Sequence, residues 1–296
     1  MNTVTRAVDR IITAHSQREG GGFVVRRPFP TEQISHLDPF LLIDEMGPAD
    51  YGPGEAVGAP DHPHRGFETV TYMLEGEFEH EDSAGHKGTL RPGDVQWMTA
   101  GAGIIHSEMP SAEIRRDGGR VHGFQIWINL PAVDKMHTPR YQELAAARIP
   151  VGQSDDGLAR VRVIAGEALG VSAAIDTRIP ITFQDWTLEA GADVTVNLPA
   201  SEQAMVYVFG GAMRVGDDDQ LIADGQLAQL GSGDAVRLRH AGEGTARALL
   251  LGGTPINEPV ARYGPFVMNN ESELRQAFAD YQSGRMGEIT REAQVG

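Results

Sequence analysis

Two short motifs in the first half of the sequence contain residue types that bind transition metals. His62 and His64 stand two residues apart, and His106 and Glu108 repeat that spacing further along the chain. Side chains two residues apart on a β-strand point to the same face, so each pair can reach one ion. Three neutral nitrogens and one carboxylate oxygen suit Fe, Mn, Co, Ni, Cu or Zn, because Ca and Mg require mostly oxygen ligands. The motifs therefore predict one transition-metal ion per chain, with positions left open for a substrate or O₂.

The alternative interpretation is that the two pairs lie on separate surface loops. Each pair alone is weak evidence, since His80 and Asp82 show the same spacing within a stretch that resembles a polar turn. The context favours the metal site: the first pair precedes a stretch rich in β-branched and aromatic residues, 67–74, and the second follows a Gly-Ala-Gly turn at 101–103. If both strands line one barrel, the four side chains converge.

The elements that must position these side chains are short strands separated by Gly, Pro and Asp. Such a pattern predicts an all-β protein, either a sandwich or a barrel. The strand candidates are residues 23–25, 67–74, 95–98, 121–130, 175–179, 181–188, 194–198, 205–209, 235–238 and 246–251.

A single helix is predicted near the end of the chain. Asn270 can cap it, and Glu273 stands three residues later, as in a capping box. Leu274 and Phe278 give it an apolar face, and Gly284 can end it. We interpret it as a packing helix.

The two halves of the sequence share a weak repeat. A Gly-Asp pair precedes a strand candidate at residues 93–94 and again at 233–234. A repeat of this length indicates a duplicated domain rather than a solenoid. Pro, Gly, Ser and Asp cluster at 150–157, and we therefore predict domains at residues 1–148 and 149–296, with the metal site in the first.

The second half lacks a matching ligand set. The repeat offset places residues 197–199 opposite the His62–His64 pair and Arg247 opposite His106, and the one histidine beyond residue 150 is His240. The second domain is therefore predicted to be structural.

Composition excludes several classes of protein. The 296 residues carry a net charge of -16, which opposes binding to nucleic acid. Cysteine is absent, which excludes disulfides and thiolate chemistry. Neither a signal peptide nor a transmembrane segment is indicated, so we expect a cytoplasmic protein. The glycine-rich nucleotide-binding motifs and the G-x-S-x-G motif are also missing.

Longer sequence blocks surround the metal motifs. They are HPHRGFETVTY at 62–72, RPGDVQWMTAG at 91–101, GIIHSE at 103–108, FLLID at 40–44, FQIWINL at 124–130 and YGPFVMN at 263–269. Together these blocks resemble the pirin family of the cupin superfamily, and the resemblance spans nearly the whole chain.

The resemblance implies two tandem cupin barrels, which are double-stranded β-helix jelly rolls, followed by a short helix. It implies one divalent metal, usually Fe(II), in the N-terminal barrel, held by His62, His64, His106 and Glu108. Glu68 occupies the place of a glutamate in the wider cupin pattern, and we interpret it as a structural residue or as one that supports the ligands.

Some pirins resemble quercetin 2,3-dioxygenases, which implies cleavage of a flavonol by O₂ with release of carbon monoxide. Glu108 would then ligate the metal or accept the proton of the flavonol 3-hydroxyl. The candidates for an apolar pocket wall are Phe67, Trp97, Met98 and Trp127, although core packing is the more common role for any one of them. Trp97 and Met98 cannot share one face of a regular strand.

The second function that the resemblance implies is regulatory. Other pirins are described as transcriptional co-regulators or as proteins that bind metabolic enzymes. On this alternative the chain is a metal-binding regulator without catalysis that binds a protein partner. The sequence does not distinguish the two functions, since the metal motifs would be the same in both.

Overall fold

The computed structural model describes residues 3–291 and divides the chain into two compact units, neither of which is continuous in sequence. The companion unit comprises the segment up to His15, Pro28–Pro39 and Ala147–Pro255. The histidine unit comprises Ser16–Arg27, Phe40–Ala146 and the segment from Ile256 onward. One of the points at which the chain changes from one unit to the other is Ala146–Ala147. The division at residues 148 and 149 stays a prediction.

Strands dominate both units. In the first half of the chain they are β1 Val8–Thr13, β2 His15–Glu19, β3 Phe23–Phe29, β4 Phe40–Tyr51, β5 Ala59–His64, β6 Phe67–Glu75, β7 Phe78–Asp82, β8 Lys87–Leu90, β9 Val95–Thr99, β10 Ile104–Pro110, β11 Gly119–Asn129 and β12 Arg140–Leu144. In the second half they are β13 Val151–Gln153, β14 Ala159–Ala165, β15 Glu167–Ala168, β16 Val171–Ser172, β17 Ile181–Leu188, β18 Asp193–Asn197, β19 Gln203–Gly210, β20 Ala212–Val215, β21 Gln220–Ala223, β22 Gln226–Leu230, β23 Ala235–Ala241, β24 Ala246–Gly253, β25 Ala261–Tyr263 and β26 Phe266–Met268. The helices are α1 Ala112–Asp117, a 3₁₀ turn at Ala146–Arg148, and α2 Glu271–Gln282.

The histidine unit contains a large and a small sheet. The large sheet has the strand order β12-β9-β6-β11-β4-β3-β2, and the small sheet has the order β5-β10-β7-β8. On β6 the side chains of both faces are buried, and so are most of those on β11, as expected for the central strands of a closed sheet. The small sheet carries both metal motifs, on β5 and β10.

The companion unit repeats this arrangement with the orders β1-β22-β19-β24-β17-β14-β13 and β18-β23-β20-β21. The strand that corresponds to β10 is therefore β23, whereas Arg247 lies on β24. The predicted equivalence of Arg247 and His106 is wrong, because the repeat matched the Gly-Asp pair before β9 with the pair before β23, whereas β9 corresponds to β22 in strand order. Apolar side chains such as Val196, Met213 and Val236 form the core of the companion unit.

Most predicted strands overlap observed ones, but the prediction at 175–179 is wrong. That segment contains two isoleucines separated by three polar residues and followed by Pro180, and it forms no strand. Neither isoleucine is buried, so the two apolar side chains do not hold the segment against a sheet.

The predicted C-terminal helix is confirmed as α2. The Asn270 side chain accepts a hydrogen bond from the Glu273 amide at 3.0 Å. The Glu273 carboxylate accepts from the amide of Asn269 rather than that of Asn270. Leu274 packs in a cluster with Phe266 of β26, so α2 belongs to the histidine unit. Within residues 3–291, no helix is long and apolar enough to cross a membrane.

Candidate metal centre

Antiparallel pairing of β5 with β10 brings the two motifs together. His106 lies opposite His62, and the register shifts between His106 and Glu108, as at a β-bulge. The ligand atoms of His62, His64 and His106 all lie within 4.8 Å of one another. Glu108 Oε2 is 4.0 Å from His106 Nε2. The structure thus brings together all four side chains that the spacing singled out, and the three histidines could hold one metal ion.

Backbone carbonyls orient the first two imidazoles. His62 Nδ1 is 2.8 Å from the carbonyl oxygen of Pro60, and His64 Nδ1 is 3.4 Å from that of Pro265. A hydrogen bond from Nδ1 to a carbonyl places the ring proton on Nδ1 and leaves the lone pair of Nε2 available to a metal.

The third imidazole is oriented by another histidine. His106 Nδ1 lies 3.1 Å from His80 Nε2, whereas His106 Nε2 is buried and has no hydrogen-bond partner among the described residues. Burial lowers the pKa of His80 to about 4, so its neutral ring can accept the Nδ1 proton of His106. A buried nitrogen without a partner is costly, and a metal ion would satisfy it. The donor set therefore fits a metal.

Burial also sets the charge of the ligands. Desolvation lowers the pKa of His64 and of His106 well below the usual value, and the adjacent His62 lowers both further. Desolvation raises the pKa of Glu108, while the Thr71 hydroxyl, which donates to Glu108 Oε1 at 2.7 Å, opposes that rise. The neutral imidazoles of His64 and His106 beside one partly buried carboxyl group form a site that a divalent cation would stabilise.

A cavity of about 530 Å³ opens onto this cluster, which is within the usual size of a small-molecule pocket. Its lining includes His62, His64, Glu108, Thr71, Gln125, Trp127, Phe23, Leu42, Met46 and Phe78. Of the predicted wall residues, Trp127 lines the cavity. Phe67 instead packs on Trp127 with ring centroids 4.3 Å apart, and Trp97 and Met98 are both fully buried, because each face of β9 is covered.

Glu68 has a structural contact. Its Oε1 accepts a hydrogen bond of 2.6 Å from the Thr99 hydroxyl, and the two residues face each other across β6 and β9. Alternation along β6 directs Glu68 to the face opposite Thr71, which contacts Glu108. Glu68 is thus not placed as a ligand.

Sequence reasoning missed His80, which was interpreted as part of a polar turn. It lies on β7, where Phe78, His80 and Asp82 are buried and the intervening Glu79 and Glu81 are more exposed. This period of two is the signal that could have revealed a strand with an inward-facing histidine.

Comparisons with known proteins agree with this geometry. A protein-family model described as Pirin matches residues 22–128, and one described as Pirin C-terminal cupin domain matches residues 183–287. A pirin-like protein of Solanum lycopersicum is 44% identical over 283 residues, which cover 95% of this chain and 93% of that protein. The chain belongs to the pirin family. Its fold is accordingly two cupin domains with a short C-terminal helix.

Two solved structures extend the comparison. The crystal structure of a quercetin 2,3-dioxygenase from Acinetobacter baumannii is 37% identical, with a TM-score of 0.90, and the match covers 97% of this pirin-family chain and all of that chain. The bacterial pirin YhhW from Escherichia coli, solved in complex with nickel(II), is 21% identical with a TM-score of 0.64, covering 83% of this chain and 98% of that one. The second likeness shows the shared fold alone.

Proposed function

We propose that this pirin-family protein is a metal-dependent dioxygenase that cleaves quercetin or a related flavonol with O₂ and releases carbon monoxide. The observation that carries the proposal is the convergence of His62, His64, His106 and Glu108 at the end of a cavity with aromatic and apolar walls. Likeness to the Acinetobacter enzyme supports it. We assign Fe(II) as the metal, with Mn, Co, Ni, Cu and Zn as alternatives that the donor set also suits.

The ligands would hold the metal through three Nε2 atoms and Glu108. When bound, such an ion supplies Lewis acidity, which lowers the pKa of a coordinated hydroxyl group. Glu108, which lies beside the metal position, is the proposed acceptor of the proton of the flavonol 3-hydroxyl. Thr71 holds Oε1 by its hydroxyl, which directs Oε2 towards His106 and the site.

The cavity walls define how a flavonol would lie. Trp127 stands edge-on to His64, with ring centroids 5.1 Å apart, and offers an aromatic surface beside the ligands. Phe78 and Met46 supply further apolar surface in the cavity wall. A planar aromatic substrate can therefore pack on the walls while its hydroxyl group reaches the metal position.

Oxygen consumption by the iron-loaded protein tests this function. We expect quercetin and O₂ to be consumed in equal amounts, with carbon monoxide released. Glu108→Gln should lose turnover, and its metal content must be measured beside the rate because Glu108 is also a ligand. Glu79→Gln, on the outward face of β7, is the matched control. If fully loaded wild-type protein consumes no O₂ above the metal-free control with several flavonols, the enzyme proposal is wrong and the regulatory alternative replaces it.

A further inference from the structure

Two arginines, Arg27 and Arg262, line the cavity, and Arg27 is held by carboxylates. Arg27 Nε donates to Asp44 Oδ1 at 2.6 Å, and its Nη2 donates to Asp44 Oδ2 at 2.5 Å and lies 2.8 Å from Glu19 Oε1. This two-pronged ion pair engages both carboxylate oxygens of Asp44. Arg27 is therefore ion-paired with two carboxylates in the wall, and the three side chains together carry one net negative charge.

The second arginine, Arg262, has no such partner. Its Nη1 donates to the carbonyl oxygen of Leu41 at 3.1 Å, and its guanidinium lies 4.7 Å from the ring centroid of Trp127. Within residues 3–291, no carboxylate lies within 4.0 Å of it. Burial and the nearby positive charge of Arg27 lower the pKa of Arg262, while the negative charges of Asp44 and Glu19 oppose that effect.

Trp127 contacts both the guanidinium of Arg262 and one of the metal ligands. The same indole ring contacts His64 at 5.1 Å between centroids and Arg262 at 4.7 Å, and all three side chains line the cavity. One aromatic ligand of two or three rings could thus reach from the metal position along Trp127 to the guanidinium.

From this arrangement, and resting on the proposed function, we propose that Arg262 binds an anionic oxygen group at the end of the substrate away from the metal. The substrate class is then an aromatic enol that also carries an acid group, for which a carboxylate is the clearest case. Trp127 and Leu41 fix the guanidinium before the substrate arrives, so little conformational entropy is lost on binding. Asp44 does not compete for it, because Arg27 holds that carboxylate.

The test compares two ligands that differ only at the far end: 3-hydroxyflavone and its 4′-carboxylate. Binding is measured by calorimetry with zinc-loaded protein, in which no turnover is needed for a signal. A charge-assisted hydrogen bond predicts about 10- to 100-fold tighter binding of the carboxylate by the wild type. Arg262→Gln should abolish this preference, and Arg262→Lys should keep part of it, since the charge remains without the planar fork.

Arg247→Gln is the matched control, because its guanidinium also stacks on an aromatic ring, that of Phe209 at 4.6 Å, but belongs to the companion unit. It should keep the wild-type preference. Equal affinities in the wild type, a preference that survives in Arg262→Gln, or failure of the wild type to bind either ligand would each overturn the inference. Arg262→Met provides a second neutral variant if the glutamine variant does not fold. A carboxylate preference in the zinc-loaded wild type together with no O₂ consumption by the iron-loaded wild type would refute the dioxygenase and leave the role of Arg262 intact.

Discussion

Replacement of His80 by phenylalanine tests whether the metal centre depends on a residue that is not a ligand. His80 Nε2 accepts from Nδ1 of His106 at 3.1 Å, and phenylalanine keeps the ring volume but removes the acceptor. Residues that orient metal ligands typically change metal affinity about 10- to 100-fold. This corresponds to about 1.4–2.7 kcal/mol, which is comparable to the cost of leaving one buried N–H without a partner. We therefore expect His80→Phe to weaken metal binding by that factor and to remain folded.

The assay is competition for the metal against a chelator of known affinity. His80→Gln should lose less affinity than His80→Phe, because its amide oxygen can accept the same proton. His240→Phe is the control, since His240 is a histidine of the companion unit whose Nε2 lies 2.6 Å from the carbonyl oxygen of Gly244. Unchanged affinity in His80→Phe would refute the reasoning, and an equal loss in His240→Phe would show that the effect is not specific to this contact.

The other predictions concern metal content, chelation and acid stability. Elemental analysis should find about one metal equivalent per chain and little in a His62→Ala/His64→Ala variant; two equivalents would contradict a single site. A chelator should lower the melting temperature, since a ligand at one hundred times Kd contributes about 2.7 kcal/mol, but circular dichroism should still report a folded protein. Hydrogen bonds, first from Arg65, lower the pKa of Asp280 to about 2, so its stabilisation should be complete above about pH 4 and disappear as the pH falls through about 2. Urea unfolding of wild type and Asp280→Asn across this range checks it, and parallel pH profiles would contradict it.

The ligand motifs could be predicted from sequence because their information is local. On β5 and β10 a spacing of two residues fixes the face of each side chain, and no distant contact is needed to see it. Trp127 is one of four candidates for the cavity wall, and the other three do not line the cavity. Arg262 could not be predicted, because it is 135 residues from Trp127 in the chain and nothing near Arg262 signals a cavity.

The comparison of the two halves failed for a different physical reason. The Gly-Asp pairs at 93–94 and 233–234 precede β9 and β23, but β9 corresponds to β22 in strand order, so the sequence offset joined strands that are not equivalent. It placed Arg247 opposite His106, although the strand equivalent to β10 is β23. Topology, which depends on hydrogen bonding between distant strands, identifies the corresponding positions where the sequence offset does not.

Contacts from the end of the chain show why the histidine unit includes the segment beyond Ile256. Asp61, directly before His62, is bound by Arg291 at 2.5 and 3.0 Å. Arg65, directly after His64, donates to Asp280 of α2 at 2.8 Å. The strand with two of the three histidines is therefore anchored on both sides by the C-terminal segment, one contact being a buried ion pair whose disruption is strongly destabilising.

Lys135 adds a third anchor at the same place. Its buried ammonium donates to the carbonyl oxygens of Gly66 and Val267 at 2.7 and 3.1 Å and to Asn129 Oδ1 at 2.6 Å. All three of its protons are used, and it joins the turn after β5 to β11 and to β26 of the C-terminal segment. The motif on β5 thus determines which atoms can bind a metal, whereas the orientation of that strand depends on residues about 70 to 230 positions away. A local motif search therefore recovers the ligands and misses the contacts that hold them in place.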